Sequence, residues 1–372
     1  MPKKFSAVKS DNKGIHASPP FFSIGVTTYN RPEFLKQTLV SITTQTFEDF
    51  EVIVGNDYVQ EPLSADLLGI TDSRIRFINH PQNLGEARNM NTLLNLSRGR
   101  YFTWQCDDDL YAPNFLGDVH SALVGFNYPS CVFTGYEFIY GNSFPELDKT
   151  PSGQGKIFSG RHFLGMYWAG KLKAMGCTGV YDKNYLKQIG GVECLTNTST
   201  PLYSEHLLLV RAGLLQHVAH IAEPLLKYRI HEDAWGCTAR DLSLYGQAGH
   251  NLIRESIKVF SHSKLRGDFR NNLSAILKFV VFEYFGKARA GDGFLSRHWT
   301  IPFFFTLKKP LDSLKGSELY RIALLCWCWT GVRLVWWLGT KFNFKAVVSP
   351  VLLNFARTLR LPFGRHSGDS QL

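Results

Sequence analysis

Asp107, Asp108 and Asp109 stand in a row at the end of an apolar run, Gly99 to Cys106. Adjacent like charges repel, so a folded chain keeps such a cluster near a strand end only when something offsets it. A hard divalent cation does so, because Mg2+ and Mn2+ prefer carboxylate oxygen and then hold substrate phosphates. A solvated acidic turn is the alternative, since Asp is common in turns. Two further polar positions, Thr28 and Asp57, also close apolar runs.

The elements that position these residues are legible from hydrophobic pattern. Phe21 to Thr28, Phe50 to Val54, Arg74 to Ile78 and Tyr101 to Gln105 read as strands. Pro32 suits the first turn of a helix, with Phe34, Leu35, Thr38, Leu39 and Ile42 at helical spacing. Ala87 to Leu96 reads as a second helix. Strands alternating with helices at this spacing imply βαβ units and a mainly parallel sheet. Ligands bind at the carboxyl ends of such strands. Thr28, Asp57 and the three aspartates all fall there, so one crevice can collect them.

Five blocks in order then carry a resemblance: Ile24 to Pro32, Ser41 to Thr46, Phe50 to Asp57, Asn83 to Asn89 and Asp107 to Pro113. They resemble the successive blocks of family 2 glycosyltransferases, over roughly residues 21 to 235. The resemblance implies an inverting enzyme of GT-A fold (Rossmann-like α/β with a mainly parallel sheet) that uses a nucleotide sugar and Mn2+ or Mg2+. It implies a donor site at Thr28, Asn30, Asp57, Arg88 and Asp107, with Asp57 on the base and Arg88 on the diphosphate. Counting back from Pro113 puts Asp108 on the family's metal-ligating position and Asp109 in support. Cys106 then replaces the first acid of the motif, and as a soft ligand it suits Mg2+ poorly. Asn56 likewise replaces the first of the family's paired carboxylates.

The resemblance also implies a catalytic base near Ser204-Glu205, with Leu208 and Arg211 matching downstream. Glu205 is the candidate base, and adjacent His206 is the alternative. Thr200 and Pro201 are read as the cap and first residue of that helix, whose dipole would hold Glu205 at a low pKa. His231 follows a strand-like segment and is either a further metal ligand or structural. Gly176 to Tyr181 resembles the acceptor-side segment, and Trp168 and Trp235 either stack on sugars or fill core.

Charge divides the chain. Net charge is +10, yet residues 240–372 hold 20 Lys/Arg against 8 Asp/Glu, while residues 1–239 hold 21 against 23. The expected domains are a disordered lead over 1–20, a catalytic domain over 21–239 and a basic helical extension over 240–372. Within the extension, the Trp- and Phe-rich stretch from Leu319 to Leu338 is interrupted by Arg321 and Arg333. It suits a helix lying on an anionic membrane surface, with plain packing or a true span as alternatives. No helix-turn-helix or aromatic RNA motif accompanies the basic charge, so nucleic acid is not expected as a partner. The seven cysteines are scattered without zinc-like spacing, which fits reduced thiols in the cytoplasm.

The expected function is transfer of a sugar from a UDP or dTDP sugar to a glycan or lipid-linked acceptor in cell-surface polysaccharide synthesis, at the inner face of the plasma membrane. The rival is a non-catalytic nucleotide-sugar or glycan-binding scaffold, motivated by the acids missing at Asn56, Cys106 and Ser204.

Overall fold

The computed structural model describes residues 18–232 and 242–261, together with positions 272, 275, 276, 279, 280 and 283. The lead before residue 18, Trp235 and most of the basic extension, including the stretch over 319–338, lie outside the described residues. No described helix is long and apolar enough to cross a membrane.

The strands are β1 (Phe22–Thr28), β2 (Phe50–Asn56), β3 (Ile75–Asn79), β4 (Tyr101–Cys106), β5 (Leu110–Tyr111), β6 (Cys131–Tyr140), β7 (Lys156–Phe158), β8 (Val180–Asp182) and β9 (Val218–Ile230). They form one sheet in the order β3-β2-β1-β4-β8-β6-β9-β5, with β7 pairing β9. β3, β2, β1 and β4 run parallel. β8 is antiparallel to both β4 and β6, and β6 is parallel to β9. The mixed α/β architecture with a mainly parallel core is the one expected.

The helices are α1 (Pro32–Thr43), α2 (Ala65–Leu68), α3 (Glu86–Leu96), α4 (Phe115–Gly125), α5 (Gly160–Trp168), α6 (Lys183–Gln188), α7 (Ser204–Ala212) and α8 (Leu242–Ser261). Both faces of the sheet's centre are covered, so β1, β2 and β4 are buried nearly throughout, as parallel sheets require. Strand alternation decides which core each side chain enters: Val52 and Val54 join α1 and α4, whereas Ile53 joins the cluster of α3, α5, α7 and α8. Each fully buried aliphatic or Phe side chain in these layers contributes about 1.5–3 kcal/mol. α8 opens the basic extension, yet Tyr245, Ala248 and Leu252 sit at helical spacing in the same core as Leu207 and Leu208 of α7.

Candidate active site

The three aspartates occupy the turn between β4 and β5, and each is tied to a different element. The Thr28 hydroxyl donates to Asp107 Oδ2 at 2.7 Å. Asp108 Oδ2 lies 3.0 Å from Arg31 Nη1 and 3.1 Å from His231 Nε2. Asp109 Oδ1 accepts the Arg229 backbone N–H at 2.8 Å. The repulsion is thus offset by Arg31 from the β1–α1 turn and His231 from the end of β9, with the Arg229 amide holding the third carboxylate. Burial and the neighbouring Asp108 push the Asp107 carboxyl up to about 7, against the pull of Thr28 and Arg31. Burial, then Asp108, pushes Asp109 well above the usual carboxylate range. Burial does the same to the Cys106 thiol.

Arg229 is almost fully enclosed, and its guanidinium donates to the carbonyls of Asp108, Gly141 and Ser143 and to Gln37 Oε1. It locks the β4–β5 turn, the end of β6 and α1 into one body. Thr38 of α1 adds a hydroxyl bond to the Asp109 carbonyl at 2.9 Å. The aspartates therefore stand on a rigid support.

On the donor side, Asp57 is buried at the end of β2, where its Oδ1 accepts the Leu84 N–H at 3.1 Å. Asn56 donates its amide to the carbonyls of Tyr58 and Glu61 and to Asn79 Oδ1. An aspartate there could not donate, so the departure from the family pair is a structural substitution. Tyr29 and Tyr58 flank this corner with ring centroids 5.3 Å apart. Asn30 is exposed in the turn after β1, in a left-handed conformation with φ 53°. Arg88 is exposed on α3, and the structure gives it no contact with the aspartates.

Gly85 caps α3 at φ 76°, and a Cβ there would fall 2.1 Å from Ser199 Cβ. Glycine thus meets both the backbone and the space requirement at the entrance to the cleft. Glu86 follows it. Its side chain is exposed at the rim, yet the surrounding protein, then Asp108 and Asp57, push its carboxyl up to about 7 while Arg31 pulls it down. Glu86 therefore shares the cleft with both carboxylates.

α7 carries Glu205, but Thr200 and Pro201 do not cap it. They form a preceding turn, with the Ser204 N–H bonded to the Pro201 carbonyl at 3.0 Å. The N-cap is Tyr203 at φ 61°, with no side-chain cap. The expected low pKa of Glu205 is also corrected. Removal from water outweighs the helix dipole and pushes the carboxyl up to about 7, although a third of the side chain remains exposed. Ser204 donates its hydroxyl to the Glu193 carbonyl, another role an acid could not fill.

His206 is buried among Tyr167, Trp168, Tyr203 and Phe279. Burial depresses its pKa to about 3, which makes it a poor base. Its Nδ1 is 2.9 Å from Tyr167 Oη, and its Nε2 is 3.7 Å from Glu205 Oε1. Trp168 belongs to this aromatic box, against Tyr167, His206 and Phe279. Gly176 sits under Glu205: a Cβ there would fall 2.0 Å from the Glu205 carbonyl oxygen.

Tyr228 lies within electrostatic reach of both Glu205 and the aspartates. Burial raises its phenol first, and it also feels Asp109, Cys106, Glu205 and Asp108. Among the candidates, Thr28, Asp57 and Asp107 are joined by hydrogen bonds, Asp108 pairs with His231, and Glu205 shares with the aspartates the electrostatic surroundings of Tyr228. Three contributors carried no expectation: Arg31, Glu86 and Arg229. The first two lie inside the blocks Ile24 to Pro32 and Asn83 to Asn89, which was the available signal.

The residues fit a divalent cation. Cys106 Sγ and one oxygen each from Asp108 and Asp109 lie within 4.8 Å of one another. Asp109 Oδ2 and His231 Nδ1 are buried without a hydrogen-bond partner.

A doubly covered, mainly parallel sheet with carboxylates at its strand ends is the architecture of GT-A nucleotide-sugar domains. Residues 23–181 match the family model Glycosyl transferase family 2, so this part of the chain is similar to that family's domain. Staphylococcus aureus TarS in complex with UDP-GlcNAc shares the fold at a TM-score of 0.57 and 14% identity, over 80% of this chain and 82% of that one. An uncharacterized glycosyltransferase of Methanocaldococcus jannaschii is 34% identical over 101 residues, 26% of this chain and 35% of the relative. The Escherichia coli protein WfgD, a UDP-Glc:α-D-GlcNAc-diphosphoundecaprenol β-1,3-glucosyltransferase, is 27% identical over 121 residues, 32% of this chain and 47% of the relative. The chain spans less than half the length of the curated relatives it matches.

Proposed function

We propose that this chain is an inverting glycosyltransferase that moves a sugar from a nucleoside-diphosphate sugar, UDP or dTDP in type, to a hydroxyl of a glycan or lipid-linked acceptor. The observation that carries the reading is Asp108, paired with Arg31 and His231, together with Glu205, whose carboxyl burial pushes up to about 7, both within electrostatic reach of Tyr228.

Asp57 and the Tyr29–Tyr58 pair receive the nucleoside: rings stack on a base and a carboxylate accepts from it. Arg31 lies where a diphosphate would meet a guanidinium, with Thr28 fixing Asp107 behind it. Arg88 is a second candidate for the diphosphate. Asp108 and His231 would hold Mn2+ or Mg2+, which supplies Lewis-acid stabilisation of charge on the departing diphosphate. Glu205 removes the acceptor proton as the hydroxyl attacks from the face opposite the leaving group. A base titrating near 7 suits that task at neutral pH. His206, held neutral by Tyr167 and the aromatic box, keeps the Glu205 helix turn in place.

The E. coli relative, whose name describes transfer from UDP-Glc to a lipid-linked sugar diphosphate, supports the choice of donor and acceptor class. A place in cell-surface polysaccharide synthesis at the membrane follows from such an acceptor. The test is a thermal-shift series with UDP and dTDP sugars, each with and without Mn2+. A fitting donor raises Tm through binding to the native state, and the shift needs the cation. No shift with any donor would remove the reading. The second reading, a binder without turnover, draws on the structural duties of Asn56 and Ser204. It predicts donor-dependent stabilisation with no release of nucleoside diphosphate.

A further inference from the structure

We propose that Cys106 is itself a metal ligand, so that the cation site is a thiolate–carboxylate site of Cys106, Asp108 and Asp109 that favours thiolate-tolerant ions such as Co2+ and Zn2+ over Mg2+. This rests on the reading of a divalent-cation site at Asp108 and extends it to a residue type that the motif does not lead one to expect.

Cys106 ends β4, and strand alternation puts its side chain on the face of Phe102 and Trp104. Its Sγ and an oxygen of each carboxylate lie within 4.8 Å of one another. Bonds of about 2.0–2.3 Å at tetrahedral angles place the ligand atoms of one ion roughly 3.3–3.8 Å apart. Side-chain adjustments on the order of 1 Å, within reach of rotation about χ1 and χ2, close the site. Independently, Asp109 is 1% exposed and its Oδ2 has no hydrogen-bond partner. A buried carboxylate oxygen left so is costly unless a cation or a proton satisfies it.

The chemistry balances without another reactant. The Cys106 S–H bond breaks, a sulfur–metal bond forms, and the proton passes to solvent. The thiolate then carries the single negative charge that an aspartate would carry at this position, so the charge of the site is conserved while its softness changes. Thiolate ligands shift selectivity toward Co2+ and Zn2+ and away from Mg2+.

The experiment is absorption spectroscopy of the chelator-treated full chain titrated with Co2+, with Mn2+ binding followed by calorimetry. The expected result is a saturable sulfur-to-cobalt charge-transfer band in the wild type that is lost in Cys106→Ser. That variant should also bind Co2+ about tenfold or more weakly, on the order of one lost ligand, and bind Mn2+ with a smaller change. Cys106→Asp, which restores the charge, should bind Mn2+ and give no band. Co2+ bound without the band, or a band unchanged in Cys106→Ser, overturns the thiolate ligand while leaving the Asp108 site intact. Absence of both Co2+ and Mn2+ binding in the folded wild type overturns the site itself, and the proposal with it.

Discussion

Arg31 Nη1 lies 3.0 Å from Asp108 Oδ2, which makes the guanidinium a built-in counter-charge for the carboxylate at the centre of the cleft. The same nitrogen is 3.5 Å from Asp107 Oδ1. Arg31→Ala leaves both carboxylates short of positive charge. It is expected to lower stability by about 1.5–3 kcal/mol, the range for hydrogen bonds to charged groups. Mn2+ should recover part of that loss by supplying charge at the same place. Thermal melts of both proteins with and without Mn2+ measure the difference, and an equal deficit in both conditions would contradict the shared role.

The carboxyls of Glu205, Asp107 and Glu86 are all pushed up to about 7. A base with a raised pKa is protonated below it, so transfer should rise with pH through about 7 and level off above it. Stability runs the other way. A carboxyl whose folded pKa exceeds its unfolded value stabilises the fold fully below the unfolded pKa, near 4, and loses that contribution as pH rises through the folded pKa. Tm of the metal-free protein should therefore fall between about pH 4 and 7, and a divalent cation should flatten the fall. Melts across that range check the sign.

Asn56 replaces an acid of the family pattern, yet restoring the acid should not help. Asn56→Asp removes the amide donated to Tyr58, Glu61 and Asn79 and sets a charge against their oxygens. A loss of about 1–3 kcal/mol is expected from the unsatisfied buried groups, with no gain in donor affinity. Denaturant melts and donor titrations read both.

Gly176→Ala should separate binding from transfer. Its Cβ would fall 2.0 Å from the Glu205 carbonyl oxygen, and backbone cannot yield as a side-chain tip can. Turnover should drop while the donor still stabilises the protein. Wild-type turnover would show that Glu205 need not be held where it is.

The parallel half of the sheet, β1 to β4, was readable because its strands are continuous apolar runs, and Thr28, Asp57 and Asp107 mark their ends without any three-dimensional knowledge. What offsets the aspartates was not. Arg31 looks like any turn arginine, and Arg229 reaches Asp109 across 120 positions of sequence, a contact set by where β9 enters the sheet. The raised pKa of Glu205 was missed for a related reason. A helix start is visible locally, but its surroundings depend on Cys177 and Tyr167 arriving from elsewhere. The helix boundary failed because Pro201 satisfies a turn as readily as a first helical position.

The central claim is that Asp108 and Glu205 together perform metal-assisted sugar transfer. Release of nucleoside diphosphate from UDP and dTDP sugars, measured with Mn2+ for the wild type, Asp108→Ala and Glu205→Gln, tests it most directly. Release by the wild type that stops on chelation and is lost in both folded variants is the predicted result. Turnover close to wild type in either variant, or none in the folded wild type with donor bound, would contradict it.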